Sequence, residues 1–111
     1  MSDVSHDGGA LLGQAGATLE ATQGLLDRAL SILKSKTLDG DRVSPAKLDD
    51  HQLISYELSL CWAECTSAGF LLSYAVRLLE EAPAAAEFAG RLAALFCAEA
   101  VTSSLDRLRA R

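Results

Sequence analysis

Apolar residues recur along this chain at alternating steps of three and four. The first stripe is Leu12, Ala15, Leu19, Thr22, Leu26, Ala29 and Leu33, the spacing of one buried helix face. It predicts a helix from about Gly9 to Lys36, with Glu20, Asp27, Arg28 and Lys34 on solvated faces. The second stripe is Ile54, Leu58, Cys61, Cys65, Ala68, Leu72, Ala75 and Leu79, and it predicts one helix from about Pro45 to Glu81. Such a helix would be roughly 55 Å long at the usual rise per residue. A further line of Leu53, Leu60, Leu71, Tyr74 and Leu78 widens its apolar surface, so it should contact more than one neighbour. The third stripe, Phe88, Leu92, Leu95, Ala98, Val101, Leu105 and Leu108, predicts a helix over Ala84 to Ala110, with Glu99 partly buried among apolar neighbours.

The segments between the stripes carry stop and start signals. Asp39, Gly40 and Asp41 are turn formers inside the break from Thr37 to Ser44. Ser44 followed by Pro45 reads as an N-cap and first helical residue, and Asp49 and Asp50 then suit the positive end of that helix's dipole. Pro83 separates the second and third segments. Gly13, Gly16 and Gly24 either weaken the first helix or mark the close approach of a neighbour. No alternating run of β-branched residues predicts a strand. The expected fold is therefore all-α: an up-down bundle of three long helices over residues 10–111, behind a flexible tail over residues 1–9. The broad apolar surface of the second helix leaves room for a fourth helix, from a second copy or another protein. Leu58, Trp62, Leu72 and Leu79 are the residues expected at that interface.

Composition narrows the function classes. Half of the 111 residues are hydrophobic, enough for a core, but only 5% are aromatic, so Leu and Ala must fill it. The formal net charge of −5 repels phosphate backbones and argues against a nucleic-acid partner. Arg107, Arg109 and Arg111 fit the negative end of a helix dipole. The polar start, Met1 to Gly9, lacks the pattern of a secretory signal. The apolar stretch around Gly69 to Val76 is far too short to span a bilayer. A cytoplasmic, membrane-free setting is expected.

Candidate chemistry is sparse. Cys61, Cys65 and Cys97 are an odd set for a disulfide framework. Cys61 and Cys65 share a helix face, but no second ligand pair follows to close a zinc site. Burial as small hydrophobes is the expected role of all three. His51 stands without a sequence-evident nucleophile and acid, and reads as a polar contact at a bundle end. Glu57 and Glu64, seven apart on one side of the helix with Glu99 able to face them, lack the Glu-x-x-His motif of di-metal bundles and read as solvated. No phosphate-cradling glycine loop occurs. Tyr56, Trp62, Phe70 and Tyr74 crowd the long helix as core or interface anchors. No catalytic, cofactor-binding or metal residue is expected, and the chain is too poor in reactive groups to be a complete enzyme alone.

The order of a long helix, a Gly loop, a helix opening His51-Gln52-Leu53-Ile54 and a helix reading Leu92-Ala93-Ala94-Leu95-Phe96-Cys97-Ala98-Glu99-Ala100 resembles the C-terminal bundle of flavin-dependent acyl-CoA dehydrogenases. The third segment is similar to that family's Lys-Leu-Phe-Ala-Ser-Glu-Ala helix, and the likeness covers about Ala10 to Arg107. The chain departs from the family where flavin is held. Lys36 and Asp39 stand at the Arg and Phe positions of the motif closing the first helix, and the loop to Gln52 is longer. Asp106-Arg107-Leu108-Arg109 replaces the Gln-Ile-His-Gly-Gly loop, and the position of a catalytic Glu in one subgroup falls near Ala10. Nothing in these 111 residues resembles the family's other two domains, so the likeness implies the bundle alone. The chain also looks like the extra N-terminal helical extension of methylsuccinyl-CoA dehydrogenase-like members. The resemblance implies a non-catalytic bundle or small subunit associated with such a flavoenzyme, acting in packing, with FAD held elsewhere. The alternative is a free-standing adaptor that binds an amphipathic partner helix. A homo-oligomer or flavoenzyme subunit is the expected assembly.

Overall fold

The computed structural model describes residues 2–109, with side chains from residue 9. Helix α1 (Ser2–Thr37) leads into a two-residue ladder, β1 (Leu38–Asp39) and β2 (Arg42–Val43), then α2 (Pro45–Asp50), α3 (Gln52–Glu81) and α4 (Pro83–Arg109). The architecture is an all-α, up-down bundle of three long helices, as the spacing predicts. Helix α1 starts at Ser2, ahead of the predicted start near Gly9.

Two local features depart from the sequence reading. The break holds an antiparallel hairpin, pairing Leu38 with Val43 and Asp39 with Arg42. Gly40, at φ 70, is the first central residue of its turn, the position where a two-residue hairpin loop favours glycine. The ladder is too short to show as an alternating pattern. The predicted second helix is also divided at His51, whose φ of −117° and ψ of 24° end α2 and begin α3. This bend lets α2 pack against α1 as well as α3, which a straight rod of ~55 Å would not allow. Asp49 and Asp50 consequently close α2 instead of opening a long helix. Ser44 caps α2 as expected, its hydroxyl accepting from the Lys47 N–H at 3.3 Å.

Leu12, Leu19, Thr22 and Leu26 of α1 are buried, as are Leu58, Cys61, Cys65, Ala68 and Ala75 of α3. Both predicted stripes therefore face the core. Helix α4 turns the other way from its predicted stripe. It buries Ala86, Gly90, Ala93, Cys97, Ala100 and Ser104, and Phe88, Leu92 and Leu95 face outward at 74%, 47% and 58% exposure. Of the predicted stripe, Val101 is buried and Leu105 and Leu108 pack against the core, while Ala98 is exposed; Glu99, expected partly buried, is exposed as well. The reason is steric. Small residues at steps of four and three let α4 lie close against α3, its most extensive contact, and larger side chains would hold the axes apart.

Candidate functional site

The core is closed to chemistry. Cys61, Cys65 and Cys97 are buried free thiols. Cys97 donates to the Ala68 carbonyl at 3.8 Å, and Cys65 shares a hydrogen bond with the Ser104 hydroxyl at 3.5 Å. Burial pushes the thiols of Cys61 and Cys97 above their usual value of 9.0. For Cys61, the Ser104 hydrogen bond and the charge of Arg107 oppose that rise without overcoming it. Both groups are thereby kept as protonated, weak nucleophiles. Among the described residues, no group of three or more His, Cys, Asp and Glu is placed to hold a metal ion. His51 Nδ1 lies 2.9 Å from the Lys47 carbonyl, a polar contact at the junction of α2 and α3. No helix among the described residues is long and apolar enough to cross a membrane.

Glu57 and Glu64 are not simply solvated. Arg107 of α4 joins them, with Nη1 3.1 Å from Glu57 Oε2 and Nη2 3.2 Å from Glu64 Oε1. Arg107 Nε also donates to the Ser103 hydroxyl at 3.3 Å. The guanidinium is thus committed to its neighbours and locks α4 to α3. A spacing of seven places both carboxylates on one side of α3, but which cation meets them depends on the register of α4, and the sequence gives no direct sign of that register.

Two apolar surfaces bear on function. One is a recess of about 670 Å³ between the C-terminal half of α1 and the start of α3, lined by Leu26, Leu30, Leu33, Leu58 and Trp62. Val43 of the hairpin and Leu48 of α2 line it as well. Hydrogen bonds hold these elements over the end of α1: Ser44 N–H donates to the Thr37 carbonyl at 2.8 Å, and Lys47 Nζ to the Leu38 carbonyl at 3.1 Å. The other surface is the outward stripe Phe88, Leu92 and Leu95 of α4, which keeps the four-then-three spacing of a helix-packing seam.

The residues expected at an interface are divided by the fold. Leu58 is buried at the floor of the recess and Trp62 is exposed in it. Leu72 and Leu79 are half-buried and pack against the cluster of Leu12, Ala75 and Ala93 inside the bundle. Tyr56, Phe70 and Tyr74 are exposed, so none of the four aromatic residues on α3 is a core anchor. The α4 stripe was legible as apolar, but only the small-residue stripe on its opposite side shows that it faces outward.

Comparison of the chain with protein-family models, curated proteins and solved structures gives no match.

Proposed function

We propose that the chain is a non-catalytic helical-bundle module whose work is assembly. The stripe Phe88, Leu92 and Leu95 packs on the same stripe of a second copy. The observation that carries this reading is the orientation of the first half of α4: Ala86, Gly90 and Ala93 face the core, and Phe88, Leu92 and Leu95 face water. Each such side chain would gain on the order of 25 cal/mol per Å² when covered. Steps of four and three are those of helix-on-helix seams, so the natural cover is another helix. A closed two-fold dimer is the commonest assembly of identical chains, and it would place Leu92, mid-stripe, beside the axis.

The thermal midpoint tests this. A chain stabilised by its own copy melts at a temperature that rises with chain concentration. A midpoint unchanged across a hundredfold range, roughly, would contradict the proposal.

The likeness to acyl-CoA dehydrogenase bundles supports a wider form of the same reading: a domain or small subunit beside a flavoenzyme in the cytoplasm, where thiols stay reduced. Lys36 and Asp39, at the positions of that family's flavin-contacting Arg and Phe, are both exposed at the end of α1 and in β1. This suits a bundle kept as architecture while a partner holds FAD. The purified chain is expected to show no absorbance in the visible flavin bands.

A further inference from the structure

We propose that the recess at the hairpin end is a binding site for a free single-chain carboxylic acid. It lies apart from the α4 stripe and does not depend on the assembly reading. Four large apolar side chains around it, Leu30, Val43, Leu48 and Trp62, are left 46%, 55%, 39% and 45% exposed. Scattered singly, such residues are ordinary; gathered around one concavity, they mark a site. The volume, about 670 Å³, falls in the range of small-ligand sites. The walls run only ~16 Å along α1, from Leu26 to Thr37, and Val43 and Leu48 contribute the lining at the hairpin end. A flexible apolar chain suits this short recess better than a long partner helix does.

The polar lining selects the head group. Thr37, Ser55 and Ser59 donate their hydroxyl hydrogens to the carbonyls of Lys34, His51 and Ser55 on their own helices. They offer a ligand acceptor oxygens only. Lys34 is the one charged side chain of the lining, and it forms no ion pair with any described residue. An ammonium group without a partner beside an apolar recess complements a ligand with an apolar chain and a single anionic head.

Trp62 is the only tryptophan of the chain and lines the recess, so its emission reports occupancy directly. Dodecanoate, dodecanol and dodecyltrimethylammonium would be titrated separately, each below its micelle-forming concentration, into the full chain and into Lys34→Glu. Dodecanoate is expected to shift the emission saturably and to bind most tightly. Lys34→Glu, an exposed position that leaves the fold intact, should weaken dodecanoate on the order of tenfold and favour the cationic probe. No saturable change with dodecanoate would overturn the proposal. So would equal affinity for all three probes, or a response confined to an amphipathic helical peptide offered in their place. Leu30→Glu, on the exposed wall, should abolish the response while the far-ultraviolet circular dichroism is retained; an unchanged response would place the ligand elsewhere.

Discussion

Leu72 of α3 lies over Gly16 of α1 so closely that a Cβ at Gly16 would stand 3.3 Å from Leu72 Cδ2. Gly24 of the same helix faces open space. Both glycines lie inside the same helix, and their packing is opposite. Gly24→Ala should stabilise the bundle by about 0.5–1 kcal/mol, the helix-propensity gain. Gly16→Ala should gain less, because Leu72 must shift to admit the methyl group. Urea unfolding followed at a helical wavelength gives both values, and a larger gain at Gly16 than at Gly24 would be inconsistent with this packing.

Arg107 carries two carboxylates. Its side chain is 29% exposed, and those of Glu57 and Glu64 are 15% and 32% exposed, so the pairs are partly screened from water. Arg107→Met should cost about 1–3 kcal/mol, since it removes the guanidinium that bridges two partly buried carboxylates. Arg107→Lys should recover only part, because an ammonium cannot fork to both acids as a guanidinium does. If Arg107→Met proved neutral in urea unfolding at low salt, the bridge would not be holding α4 to α3.

The thiols link stability to alkaline pH. Burial raises Cys61 and Cys97 above the usual 9.0, so the folded chain holds these protons more tightly than the unfolded chain does. The stability they contribute is fully present below about pH 9 and is lost as pH rises through 9 toward the raised values. The urea midpoint should fall between about pH 8 and about pH 10, and less steeply in a Cys61→Ala, Cys97→Ala variant. A thiol reagent should react slowly with the native chain and readily once urea unfolds it. Rapid native reaction at neutral pH would show that these thiols are not buried.

Much of the fold was legible because the buried residues of α1 and α3 recur at steps of three and four, large Leu on α1 and Leu58 with Cys and Ala on α3. Leu12, Leu19 and Leu26, and Leu58 with Cys61 and Cys65, sit where their spacing puts them. Helix α4 carries two stripes at the same spacing. Phe88, Leu92 and Leu95 outweigh Ala86, Gly90, Ala93 and Cys97 in hydrophobicity, yet close packing against α3 favours the small set. The decisive signal was size, at Ala86, Gly90, Ala93, Cys97, Ala100 and Ser104. The bend at His51 is set by the docking of α2 on α1, a tertiary contact that the local pattern does not encode. The recess was visible in sequence only as Leu58 and Trp62. Its remaining walls come from α1, the hairpin and α2, and only folding brings them together.

Size-exclusion chromatography with light scattering, on the chain and on Leu92→Glu, tests the assembly account most directly. The chain should elute with twice its own mass, and Leu92→Glu, exposed and outside the core, should run as a helical monomer. A chain that stays monomeric at high concentration, or a Leu92→Glu variant that stays dimeric, would contradict the proposal that the α4 stripe joins two copies.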